Sequence, residues 1–166
     1  MELLIVRHGP AEDRARWRKT GRPDAERPLT KDGRRKTKAA ARGMAELMRG
    51  VDVVAFSPWA RAAQSAEFVS AAFAAKAVEC PELIPDRPVA GLLAWLGGRT
   101  EKRVALIGHE PHLSRFASWL LTGREASVLS LKKSQALLLS LETASPGRAT
   151  LLWSVPPRIL RDLSRR

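Results

Sequence analysis

The chain has 166 residues, 45% of them hydrophobic, and carries 29 Lys and Arg against 17 Asp and Glu, a formal net charge of +12. That length and apolar content suit one globular domain over 1–166, and no run approaches the ~20 apolar residues of a membrane span. The single cysteine, Cys80, excludes an intramolecular disulfide and a cysteine zinc cluster, and the first residues lack the order of a signal peptide, so a cytoplasmic protein is expected.

The elements read as strands alternating with helices. Leu3-Leu4-Ile5-Val6 is a short apolar run that suits a buried parallel strand, and it leads directly into Arg7-His8-Gly9. Residues Ala11 to Leu29 are polar, basic and broken by Pro and Gly. They read as a long loop with a short helical piece at Arg14 to Lys19, and a loop this long in a small domain is often functional. Thr30 then caps a helix predicted over Lys31 to Arg49, with Met44, Leu47 and Met48 on its apolar face. A strand follows at Val51 to Phe56. Ser57-Pro58 breaks it and opens a helix from Trp59 to Ala74.

A short strand at Ala77 to Cys80, a loop at Pro81 to Pro88 and a helix at Val89 to Leu96 come next. Arg103 to Ile107 is a further strand ending at Gly108-His109, and Pro111 starts a helix to Leu121. Gln135 to Leu141 and Ala149 to Trp153 form a hairpin around Ser145-Pro146-Gly147, and a short basic helix ends the chain. The alternation predicts an α/β fold, a three-layer αβα sandwich around a mostly parallel mixed sheet.

Arg7-His8, Ser57 with Arg61, and His109 all lie just past the carboxyl ends of predicted parallel strands. Ligands of open α/β sheets bind in that crevice. Arginine offers a fork of donors matched to phosphate oxygens, histidine can act as a nucleophile through a neutral ring nitrogen, and glycine lets backbone approach closely. A dianionic phosphoryl group is the natural occupant. Metal ligation is the competing reading of two histidines, but such sites normally add carboxylates or a third histidine, and His112 falls inside the following helix. Ser57 reads as a helix cap with a possible hydrogen bond into the site. For Arg61 the alternative to the crevice is a surface ion pair with Glu67 or Glu110.

These residues resemble a known family. Leu4-Ile5-Val6-Arg7-His8-Gly9 is similar to the signature of the histidine phosphatase superfamily, which includes the phosphoglycerate mutases. Ser57 to Ala66 resembles its second motif, with Ser65 in place of the usual threonine, and Gly108-His109-Glu110-Pro111 its third. Pro28-Leu29-Thr30-Lys31-Asp32-Gly33 resembles the Leu-Thr-x-x-Gly element. Pro81-Glu82-Leu83-Ile84-Pro85 is similar to a segment of the small SixA-type phosphohistidine phosphatases, as is the short length without an inserted cap domain. The resemblance implies a phosphoglycerate mutase-like fold and a metal-independent, cofactor-free phosphatase. It makes His8 the transiently phosphorylated nucleophile, with Arg7, Arg61 and His109 completing the phosphate pocket. For the general acid of larger members, Glu82 and Asp86 are the candidates in the corresponding loop. A sparse acid suits a phosphoramidate, whose protonated imidazole already leaves well.

The expected partners are a phosphohistidine-bearing protein in signalling or phosphotransfer, or a small phosphorylated metabolite, with inorganic phosphate as product. Arg14, Arg16, Arg18, Lys19 and Arg22 in the loop, with Lys132 and Lys133, would attract an acidic surface if they rim the pocket, although basic runs are commonly just solvated faces. Nucleic-acid binding is the distant alternative; the chain shows no recognised motif for it and no stacking series on a strand. A monomer is the default expectation, and no membrane partner is expected.

Overall fold

In the computed structural model, which describes residues 1–165, six strands form one sheet in the order β3-β2-β4-β1-β5-β6. These are β1 (Glu2–Arg7), β2 (Val53–Phe56), β3 (Lys76–Glu79), β4 (Arg103–Gly108), β5 (Ala136–Leu141) and β6 (Ala149–Val155). The first four run parallel, while β5 and β6 pair antiparallel beside β1, so the sheet is mixed as expected. Helices α1 (Arg14–Arg18), α2 (Lys31–Ala45), α3 (Ala60–Phe73), α4 (Val89–Gly97), α5 (His112–Thr122) and α6 (Pro157–Leu163) complete the fold.

The period-2 alternation of strand side chains builds the core in two layers. Leu3 and Ile5 of β1 face α4 and α5, where they join Leu92, Leu96, Phe116 and Leu120. Leu4 and Val6 face the opposite way, toward Ala40 and Met44 of α2, Val69 of α3 and Leu160 of α6. A strand buried on both faces must be apolar throughout, which is why β1 and β4 read as continuous hydrophobic runs rather than as alternating patterns. The result is the three-layer αβα sandwich expected from the sequence. Among the described residues no helix is long and apolar enough to cross a membrane.

Some boundaries differ from the sequence reading. Helix α2 stops at Ala45 rather than Arg49, because the chain must turn there to reach Val51 and β2; Leu47 is left exposed outside the helix, while Met48 packs against the α2 side of the core. Ser57-Pro58 does not start α3: the cap position falls on Trp59, with no side-chain cap bond, and the helix begins at Ala60. Pro111 occupies the cap of α5, so His112 is its first residue rather than one turn in.

Helix α2 meets α6 at Gly43, where an added Cβ would collide with the Leu160 carbonyl. Gly97, at the end of α4, faces open space. Gly43→Ala is therefore expected to lower stability by about 1–3 kcal/mol through overpacking, whereas Gly97→Ala should leave it unchanged or raise it by about 0.4–1 kcal/mol. Denaturant unfolding of the two variants checks the contrast.

Candidate active site

Strand register brings the sequence-distant residues together. Arg7 lies opposite Gly108, and His8 N–H donates to the Gly108 carbonyl at 3.0 Å, so the next residues of β1 and β4 emerge side by side. Phe56 lies opposite Ile107, and Ser57 N–H donates to the Ile107 carbonyl at 3.0 Å. The His8 and His109 rings consequently sit 5.1 Å apart. The three predicted strand ends converge on one cleft of about 1300 Å³, whose lining includes Arg7, His8, Arg61 and His109.

His8 is 5% exposed, and its Nδ1 lies 2.7 Å from the Gly9 carbonyl oxygen. A carbonyl only accepts, so Nδ1 carries the proton and Nε2 keeps its lone pair. Burial pushes the imidazole down to about 3, reinforced by Arg61, Arg7 and Arg27 and opposed by the Gly9 hydrogen bond. Burial, with His8 and Arg61 next in weight, likewise lowers His109 to about 2. His109 Nε2 bonds Ser57 Oγ at 2.9 Å, and the edge of Trp59 packs on its ring at 5.1 Å. Ser57 is thus an orienting hydroxyl for His109.

Arg61 is 4% exposed and stacks over Trp59 at 4.6 Å. Its partner is neither Glu67 nor Glu110. Nη1 donates to the Asp24 backbone carbonyl at 2.9 Å and Nη2 to Asp24 Oδ2 at 3.2 Å. Asp24 Oδ1 also accepts from Arg27 Nε at 2.7 Å, so one carboxylate holds two buried arginines. Burial raises the Asp24 carboxyl, but the Arg27 hydrogen bond and the Arg61 charge outweigh it and leave it below its ordinary value. Arg7 donates through Nη1 to the Leu131 carbonyl at 2.7 Å.

Helix α3 fastens the surrounding backbone. Ser65 Oγ accepts from Gly9 N–H at 3.0 Å and donates to the Arg61 carbonyl at 2.6 Å; Gln64 Oε1 accepts from Leu29 N–H at 2.9 Å. Gly9 has no room for a side chain, since a Cβ there would strike Thr37 Oγ1. After this packing, Arg7 Nε, Arg61 Nε and His109 Nδ1 are buried without a partner, as is Glu110 Oε1.

The two candidate acids from sequence separate. Asp86 lies exposed on the rim of the cleft. Glu82 is outside the cleft lining and sits over Gly91 at the start of α4, because the turn at Pro81–Leu83 directs it there. Arg14, Arg16 and Lys133 line the cleft, whereas Arg18, Lys19, Arg22 and Lys132 do not. Trp17 is half-buried, donating through Nε1 to the Pro23 carbonyl at 3.0 Å with Arg22 stacked on its ring at 4.8 Å. Sequence reasoning missed Asp24, Arg27, Trp59 and Glu110. Glu110 carried a signal, as the one carboxylate inside a motif of a basic crevice; Asp24 carried none that separates it from Glu12, Asp13 or Glu26.

Comparison with known proteins agrees with this geometry. Residues 3–87 match the model of the histidine phosphatase superfamily (branch 1), a span that holds Arg7, His8 and Arg61 but ends before His109. An uncharacterized protein of Picosynechococcus sp. is 33% identical over 138 residues, 81% of each chain. The structure of the protein histidine phosphatase SixA complexed with tungstate superposes with a TM-score of 0.78 and 26% identity, covering 96% of this chain and 99% of that one. A mycobacterial glucosyl-3-phosphoglycerate phosphatase shares the fold at 15% identity and a TM-score of 0.68, covering 91% of this chain and 96% of that one. This chain belongs to the histidine phosphatase superfamily, among its small SixA-type members.

Proposed function

We propose that this phosphatase works through a phosphorylated His8, without a metal ion, and that its substrate is a phosphohistidine on a protein. The observation that carries the reading is the set of buried, unpartnered nitrogens Arg7 Nε, Arg61 Nε and His109 Nδ1 beside a histidine whose Nε2 lone pair is free. Buried donors left unmade are costly; with Ser57 Oγ donating to His109 Nε2, the His109 proton sits on Nδ1, and a phosphoryl group's oxygens would satisfy all three. The same arginines would repel a cation. The complex of the similar SixA with tungstate, a tetrahedral oxyanion, supports this occupancy.

Positioning and preorganised positive donors are what phosphoryl transfer asks of a protein. His8 Nε2 attacks phosphorus in line with the leaving group, while Arg7, Arg61 and His109 hold the equatorial oxygens. Water then displaces His8 and releases inorganic phosphate. Neutral His8 is ready to attack because burial and three arginines keep it unprotonated, and the bound dianion offsets the strain of that positive field. A cleft of about 1300 Å³ exceeds the roughly 300–1,000 Å³ of small-molecule pockets, which favours a protein surface as substrate. The second reading, a small phosphorylated metabolite, is favoured by the fold shared with a mycobacterial glucosyl-3-phosphoglycerate phosphatase.

Hydrolysis of a phosphohistidine peptide and of a phosphate monoester, each in EDTA, tests this. Turnover should prefer the peptide and fall by at least about 10³-fold in His8→Ala. Activity surviving that change overturns the mechanism, and preference for the monoester keeps the mechanism but changes the substrate.

Asp24 is a positioning residue for Arg61. Asp24→Ala makes the pocket more positive, yet it should bind tungstate more weakly by calorimetry, because Arg61 and Arg27 lose their shared anchor; a folding loss of about 1–3 kcal/mol should accompany it. Tighter binding would show that net charge, not geometry, sets affinity.

The depressed histidines also set an acid limb. Above about pH 6.5 they are neutral folded or unfolded and contribute nothing. As pH falls toward about 3, only the unfolded chain takes up their protons, so stability declines by up to about 1.4 kcal/mol per pH unit for each. Thermal melts between pH 6.5 and 5, a window above most carboxylate titration, should show a shallower decline for His8→Asn than for the wild type.

A further inference from the structure

We infer that the Glu110 carboxyl is the proton donor to the leaving group, which equips this cleft for phosphate monoesters as well as phosphoramidates; the inference rests on the phospho-His8 mechanism proposed above. Glu110 directly follows His109 at the end of β4 and lines the same cleft as Arg7, His8 and Arg61. Its Oε1 is closed off from solvent and has no hydrogen-bond partner in the protein.

The other carboxylates of the cleft are otherwise placed. Asp24 is held by Arg27 and Arg61, Asp13 caps α1 through Arg16 N–H, and Glu125 lies 3.4 Å from Arg115. Asp86 and Glu12 are exposed at the rim. Glu110 alone combines a buried free oxygen with a position next to the phosphate pocket. Burial raises its carboxyl from the ordinary value, opposed by hydrogen bonds from Ser114 and the Leu131 backbone and by the Arg7 charge. This is the environment that turns a carboxylic acid into a general acid.

The proton inventory balances. As the N–P bond forms at His8 Nε2 and the ester P–O bond breaks, the Glu110 proton passes to the leaving oxygen, giving a neutral alcohol, phospho-His8 and a Glu110 carboxylate. In the second half, that carboxylate takes a proton from water as the water oxygen attacks phosphorus. The P–N bond breaks, inorganic phosphate departs, and Glu110 is again protonated. A phosphohistidine substrate leaves as neutral imidazole and needs no such proton in the first half.

The test is rapid-quench measurement of phospho-His8 formation by wild type and Glu110→Gln, using aryl and alkyl phosphates of graded leaving-group pKa plus a phosphohistidine peptide. Tungstate binding by Glu110→Gln verifies that the pocket is intact; Glu110→Asp, which keeps the acid, serves as the second variant if it is not. The expected result is a loss of about 10²–10⁴-fold for alkyl phosphates, a much smaller loss for good leaving groups and the peptide, and a steeper dependence on leaving-group pKa. An equal loss across all substrates, or none, overturns the role of Glu110 while leaving phospho-His8 in place. Wild type that forms no phospho-His8 with any substrate overturns the underlying mechanism instead.

Discussion

The parallel pairing of β4 between β1 and β2 governs everything else in this protein. Each pairing fixes which residue of one strand stands beside which residue of the next, and a slip of one residue would turn every side chain to the other face of the sheet. Because Arg7 pairs with Gly108 and Phe56 with Ile107, His8, His109 and the Ser57 that orients it leave the sheet at the same level. The two hydrophobic layers lock that register, since Leu3 and Ile5 cannot exchange places with Leu4 and Val6 without dismantling both cores. Packing energy spread over the whole domain is thereby converted into ångström-scale placement of three chemical groups.

Burying that much positive charge is costly, and the structure meets the cost locally. Arg61 and Arg27 share Asp24, and Arg61 also lies on the face of Trp59. Both arginines lose freedom to swing, which suits a site that must hold donors in place before a ligand arrives. The histidines solve the same problem differently. They give up their protons.

Much of this was legible in the sequence. Strands buried on both faces announce themselves as apolar runs, and a strand exit carrying Arg-His-Gly is short-range information. The structure brings His8, Arg7, Arg61 and His109, all singled out from sequence, to one cleft. What escaped was information held in three-dimensional contact. Asp24 stands 37 residues from Arg61 within a polar loop, and nothing in its neighbours distinguishes it from the other acids there. Leu47 continued the apolar spacing of α2, but the turn toward β2 ended the helix first. Glu82 fitted a motif, yet a single turn at Pro81–Leu83 carried it out of the cleft.

The long loop is closed at its base and carries α1 in its middle. Ala11 bridges Leu29, Glu12 N–H donates to the Pro28 carbonyl at 2.9 Å, and α3 grips both flanks through Gly9 and Leu29. Its later part, at Asp24 and Arg27, holds Arg61, while Arg14 and Arg16 line the cleft. The hydrogen bonds of the stretch from Arg14 to Gly21 stay within the loop and reach neither the sheet nor His8. Lengthening such a loop costs only about 0.6 kcal/mol per doubling. The fold thus contains a point of growth: extra chain can be added beside the entrance, changing which molecules enter, while His8, Arg61 and His109 stay where the sheet has put them.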